Sequence, residues 1–259
     1  MAYHGAMLNF VEHGTATDRP GLLIAHGLYG SARNWGVIAR RLSDSRRVIA
    51  VDMRNHGDSP WTDDHGYPEM AADLAEVIAA QGGAWDVMGH SMGGKAAMAL
   101  ALSQPEAVNR LIVADIAPVT YEHSQARYVE ALKSVDLTGV EKRSDAAARL
   151  EGLIDDPALI PFFLQSLDVN AGRWRLNLDT LGAAMPQIMG FPQIDATYER
   201  PTLFLTGGKS DYVRPGHRDE IKRLFPKARF VKLPEAGHWL HAEAPRAFEQ
   251  TVRAWLDRA

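Results

Sequence analysis

The pentapeptide Gly89-His90-Ser91-Met92-Gly93 constrains this chain more than any other stretch. It follows the apolar run Trp85-Asp86-Val87-Met88 and opens an alanine-rich helical pattern from Lys95 to Ser103. Strand, Gly-x-Ser-x-Gly and helix, in that order, demand a turn so sharp that Ser91 must adopt a strained backbone. Glycines on both sides keep side chains out of that turn. The hydroxyl then stands above the carboxyl end of the strand, at a helix N-terminus that favours developing negative charge. A simple serine cap is one alternative. A phosphate-binding loop is another, since Gly89-x-x-x-x-Gly94-Lys95 fits most of that motif and Leu111-Ile112-Val113-Ala114-Asp115 resembles its companion strand. Ala96 argues against it, because the loop needs Ser or Thr there to hold magnesium.

The rest of the chain supplies a sheet for this turn. Apolar runs at 21–25 and 47–51 are bounded by turn residues and read as buried parallel strands. An opening strand is expected around 7–12. A helix capped by Asn34 is expected to run through Leu42, and one opened by Pro68 carries Met70, Leu74, Val77 and Ile78 on one face up to Gly82-Gly83. A strand over 110–115 follows the helix after Ser91. Alternating strands and helices imply a parallel sheet covered on both faces. The rhythm breaks after Pro118: residues 121–197 read as short helices broken by Pro157, Pro161, Pro186 and Pro192. It resumes with a strand at 201–205, a helix near 216–225, a strand at 228–233 and a final helix over 244–257. The expected organisation is therefore a core of residues 1–118 and 198–259, with a helical cap of residues 119–197 between two late strands.

Composition narrows the functions available. A chain of 259 residues with 46% hydrophobic content has enough length and apolar content for one large α/β domain. A net charge of −4 offers no electrostatic footprint for nucleic acid or an anionic membrane. The absence of cysteine excludes disulfides, thiolate metal sites and a cysteine nucleophile. No apolar run approaches the roughly 18 residues of a membrane span, and residues 1–10 lack the pattern of a signal peptide. A cytoplasmic location is expected.

A serine hydroxyl needs a base to take its proton. Among ten histidines, His238 in Pro234-Glu235-Ala236-Gly237-His238-Trp239 lies just after the last expected strand, where a loop can reach Ser91. His241 lies a helical turn further on. A metal pair of these two lacks the further carboxylate of a motif such as H-E-x-x-H. A tetrahedral intermediate needs two donors for its oxyanion. The N–H of Met92, after the nucleophile, and that of Leu28, in His26-Gly27-Leu28 at the end of an earlier strand, are the natural pair.

These segments together resemble the serine α/β-hydrolases along nearly the whole chain. The His26-Gly27 turn, the Gly57-Asp58-Ser59 turn, the Ser91 elbow and the Gly237-His238 loop stand in that family's order. More narrowly, His26-Gly27-Leu28-Tyr29-Gly30-Ser31 with Asn34-Trp35, then Asp52-Met53-Arg54-Asn55-His56-Gly57-Asp58-Ser59-Pro60, is similar to the esterase subfamily of YbfF and ABHD-eleven. Asp115-Ile116-Ala117-Pro118 and Gly237-His238-Trp239 extend the likeness. The resemblance implies an α/β-hydrolase fold and hydrolysis of a small-molecule carboxylic ester or acyl thioester, with no cofactor. The histidine must be oriented by an acid. Asp211, after the strand at 201–205, occupies the place that the wider superfamily uses, and Asp115, after the strand at 110–115, is the alternative. The subfamily favours Asp115. Asp179, within the insertion, is a poor third.

Tyr29 and Trp239 flank the oxyanion turn and the base and are expected to touch substrate. Tyr121, Phe162 and Trp174 are the cap residues expected to line an acyl pocket, although apolar residues at helical spacing often serve packing alone. His56 and Asp58 are expected to pin the turn after Val51. Arg54 either bridges loops or holds an anionic substrate group. Within the same scaffold, carbon–carbon hydrolysis, peracid formation, or a slow-turnover sensor signalling by cap movement remain open alternatives.

Overall fold

The computed structural model describes residues 7–258. In chain order the strands are β1 (Phe10–His13), β2 (Leu22–Ala25), β3 (Val48–Val51), β4 (Trp85–His90), β5 (Val108–Ala114), β6 (Leu167–Asp168), β7 (Arg173–Trp174), β8 (Thr202–Gly207) and β9 (Ala228–Leu233). Seven of them form one sheet in the order β1-β3-β2-β4-β5-β8-β9. All neighbours run parallel except β1, which pairs antiparallel with β3. β2, β3 and β4 are buried along their whole length, which is why β2 and β3 read as unbroken apolar runs.

Side chains alternate between two cores. Leu23, Ala25, Ile49, Val51 and Val87 face the helices that follow β3 and β4, whereas Leu22, Ile24, Val48, Ala50 and Met88 face the helix that follows β2 and the last helix. α1 spans Gly36–Leu42, α2 Tyr67–Gln81 and α3 Met92–Ser103. Between β5 and β8 lie α4 (Ala126–Ser134), α5 (Arg143–Leu150), α6 (Ile160–Leu164), α7 (Leu178–Ala183) and α8 (Met185–Met189). After β8 come α9 (Arg218–Leu224), α10 (Leu240–Glu243) and α11 (Pro245–Leu256).

Several local expectations need correction. Asn34 does not cap α1. Its Oδ1 instead accepts the Ser31 N–H at 2.6 Å, within a 3-10 turn, Ala32–Trp35, that precedes the helix. α3 starts at Met92, directly after Ser91, because Gly93 and Gly94 sit inside it rather than before it. In the insertion, Pro161 and Pro186 occupy the first turns of α6 and α8, where a missing N–H costs nothing. Those prolines start helices. The insertion also holds the β6–β7 hairpin, too short to leave a periodic signal. The expected strand at 7–12 lies at Phe10–His13. Residues 1–6 and 259 of the expected core lie outside the described residues.

Candidate active site

The strand register brings the chemistry together. β4 and β5 pair His90 with Ala114, so the next residues, Ser91 and Asp115, lie side by side beyond the sheet. Both turn sharply there, each with φ near +52°. Left-handed backbone is uncommon for residues with a Cβ and persists only where the surroundings hold it. Here the Ser91 N–H donates to the Ala114 carbonyl (3.1 Å) and the Asp115 N–H to that of Leu205 (2.9 Å). A Cβ at Gly89 would strike the Gly93 carbonyl, and one at Gly93 the carbonyls of Ala25 and His26. Only glycine permits the packing on which this turn depends.

Ser91 Oγ donates to His238 Nε2 at 3.1 Å, and His238 Nδ1 donates to Asp115 Oδ2 at 2.8 Å. The Asp115 side chain is fully buried, and its other contacts come from donors: the Gly207 N–H (2.9 Å) and the Ser210 hydroxyl. Three hydrogen bonds hold the carboxylate in place. The imidazole is fixed from above by the Tyr212 ring, stacked 3.8 Å away and tilted by 17°. From behind, His90 Nε2 donates to the His238 carbonyl at 2.8 Å.

Two N–H groups complete the arrangement. Met92 is the first residue of α3, so its N–H has no partner within the helix. The Leu28 N–H has no partner among the described residues, while the next one, of Tyr29, donates to His56 Nε2 (3.1 Å). Leu28 and Met92 both line a narrow cleft that also contains Ser91 and His238.

Most of the named pocket residues lie at this cleft, and two expectations fail. Tyr29, Tyr121, Phe162 and Trp239 line it, with Phe162 and Trp239 rings 4.4 Å apart. Trp174 does not. It is paired with Leu167 in the β6–β7 hairpin, and its Nε1 donates to the Leu132 carbonyl (2.8 Å), packing the insertion against itself. Asp211 is likewise absent from the histidine: its side chain is exposed, and Ser210 before it is the residue turned towards Asp115. Asp115 already occupies the only face of His238 Nδ1, so no place remains for a second carboxylate there.

Other motif residues are spent elsewhere. Arg54 forms a two-pronged pair with Asp73 (2.6 and 2.8 Å) and also meets Asp64. His241 stacks on Trp35 at 4.1 Å. Lys95 donates to the carbonyls of Val119, Met189 and Gly190 at 2.6–2.9 Å, which closes it to a phosphate. Burial pushes its ammonium down to about 7. Sequence reasoning missed this clamp, along with Tyr212 and Ser210. None of them has a spacing signal, because each depends on contacts between distant segments.

The sequence pattern of the alpha/beta hydrolase fold family matches residues 20–245, and the chain belongs to that family. It is 42% identical over 248 residues to the sn-1-specific diacylglycerol lipase ABHD11 of Mus musculus, spanning 92% of this chain and 81% of that protein. Esterase YbfF of Escherichia coli K12 is 39% identical over 238 residues, covering 91% of this chain and 92% of its own. A solved structure of a marine microorganism esterase superposes with a TM-score of 0.91 at 40% identity, covering 96% of this chain and 99% of that one. These likenesses make the chain an enzyme, a carboxylesterase-type hydrolase. Among the described residues no helix is long and apolar enough to cross a membrane.

Five histidines around the site respond to acid together. Burial, reinforced by neighbouring histidines, holds His56 and His90 well below the ordinary 6.5. Burial also lowers His26, pushes His65 to about 3 and pushes His241 to about 4. Below pH 6.5 the unfolded chain takes up protons that the folded chain refuses, so stability falls as pH falls. Each such group adds a slope approaching about 1.4 kcal/mol per pH unit. Urea midpoints measured between pH 7.5 and 5 are expected to drop steeply below 6.5. A flat profile would contradict neutral, buried imidazoles.

Proposed function

We propose that the enzyme hydrolyses carboxylic esters of short- to medium-chain acids, and acyl thioesters of the same acids, through an acyl-enzyme on Ser91. The observation that carries this reading is the unbroken hydrogen-bonded line from Ser91 Oγ through His238 to Asp115, set at a cleft lined mainly by apolar side chains. His238 takes the serine proton as Oγ attacks the carbonyl, then gives it to the departing alcohol or thiol. The N–H groups of Leu28 and Met92 receive the oxyanion, each such donor typically worth about 2.7–4 kcal/mol in the transition state. A water deprotonated by His238 then releases the acid and frees Ser91.

In this reading residues 119–197 act as a cap over the core of residues 1–118 and 198–259. Tyr29, Tyr121, Phe162 and Trp239 surround the acyl group and exclude water from it. The test is a series of p-nitrophenyl esters from acetate to palmitate under multiple turnover. Highest kcat/KM at the acetate-to-octanoate end, with many turnovers per enzyme, is expected. A single turnover that leaves the protein modified would replace this reading by a ligand sensor.

A further inference from the structure

The oxyanion turn is held by the insertion as well as by the core. A peptide unit is planar, with its carbonyl and N–H pointing in opposite directions, so fixing one end aims the other. The Leu28 N–H shares a peptide with the Gly27 carbonyl. That carbonyl accepts from His26 Nδ1 (2.8 Å) and from the Gly30 N–H (3.0 Å). The Gly30 N–H in turn shares a peptide with the Tyr29 carbonyl. The Tyr29 carbonyl accepts from the hydroxyl of Ser166, a residue of the insertion, at 3.0 Å.

Two peptide units therefore connect the Ser166 hydroxyl to the Leu28 N–H. Hydrogen bonds in such a chain polarise one another, so a donor at one end strengthens the donor at the other. The link is also steric, because Tyr29 sits at φ +64° and needs to be held there. His56 holds the remaining group of the turn. Its Nδ1 donates to the Arg54 carbonyl (2.9 Å), which leaves the Nε2 lone pair to accept the Tyr29 N–H.

Ser166 itself has little freedom. It is 3% exposed, and its backbone is fixed by a bond from its N–H to the Phe163 carbonyl (2.9 Å) and from the Arg175 N–H to its own carbonyl (2.7 Å). Arg175 extends the same contact to the core. Its carbonyl accepts the Gly57 N–H (2.8 Å), and its guanidinium pairs with Asp58 (2.9 Å). The insertion is thus seated on the turn after β3 by the same short segment that presents Ser166 to the turn after β2.

We propose that Ser166 is a positioning residue for ester hydrolysis, its hydroxyl holding and polarising the oxyanion donor of Leu28, so that the cap completes the catalytic apparatus. This rests on the assignment of Ser91 as nucleophile. Neither Ser166 nor the cap then touches the oxyanion itself. The contribution belongs to the transition state, where the Leu28 N–H meets full charge, so it falls on kcat and spares KM.

The experiment compares wild type with Ser166→Ala, Ser166→Cys and Ser166→Thr on p-nitrophenyl acetate. It also measures the rate of covalent labelling by a fluorophosphonate, whose phosphonyl oxygen uses the same donors. Loss of one buried neutral hydrogen bond corresponds to about tenfold. Ser166→Ala is expected to lose about tenfold in kcat and in labelling rate with KM nearly unchanged. Ser166→Cys, which keeps the volume and weakens the donor, is expected to fall between, and Ser166→Thr to recover most of the loss. Unchanged kcat in Ser166→Ala, or equal losses in the alanine and threonine variants, would overturn the proposal. If wild type itself takes no label, the nucleophile assignment fails instead, a result distinct from labelled variants that match wild type.

Discussion

Ser91→Ala is expected to lower kcat for p-nitrophenyl acetate by on the order of 10⁴–10⁶-fold while leaving KM close to wild type. The substitution removes one oxygen. The N–H bond from Ser91 to the Ala114 carbonyl and the flanking glycine contacts do not depend on that oxygen. The φ of +52° is as demanding for alanine as for serine. The variant should therefore fold with the cleft intact and bind substrate without cleaving it. Residual hydrolysis would come from oriented water and the oxyanion donors alone. Undiminished kcat would remove Ser91 from the mechanism.

The second large effect is expected at the acid. Asp115→Asn should lower kcat by about 10⁴-fold, whereas Asp211→Asn should change it less than about twofold, as surface substitutions away from partners do. The asymmetry follows from hydrogen-bond direction. Asp115 Oδ2 accepts from both His238 Nδ1 and the Ser210 hydroxyl, and Oδ1 accepts from Gly207. An amide in that place must point its NH₂ at groups that are themselves donors. The histidine is then driven to the other tautomer, with its proton on Nε2, facing Ser91. In that form it cannot take the serine proton. Steady-state kinetics of the two variants decides the matter, and equal or reversed losses would return the role to Asp211.

The two aspartates also mark how far the chain alone could be read. The elbow was legible because its glycines, its serine and the flanking strand and helix are local, with contacts a few residues long. His238 was legible from order along the chain. The acid was not legible by spacing, since both aspartates follow strands that neighbour one another in the sheet. What separates them is the register that sets Asp115 next to Ser91, together with a loop that turns Ser210 inward and leaves Asp211 in solvent. That is tertiary information.

The insertion was harder to read for a similar reason. Its helical character could be seen, yet its prolines pointed to breaks where several begin helices. Trp174 and Phe162 are indistinguishable as large apolar residues in a helical stretch. One is spent on the hairpin and on Leu132, the other faces Trp239 across the cleft. Of the histidines near the oxyanion turn, His56 was expected to pin the turn after Val51, and His26 was given no task of its own. Their tautomers, fixed by carbonyls on one ring nitrogen, give the other nitrogen a backbone N–H to hold.

The central claim is that Ser91 is activated by His238 in the folded enzyme. Its most direct test is intact mass after incubation with a fluorophosphonate, for wild type and Ser91→Ala side by side. The account predicts a single adduct on wild type and none on the variant. No adduct on wild type, or an equal adduct on both, would contradict it.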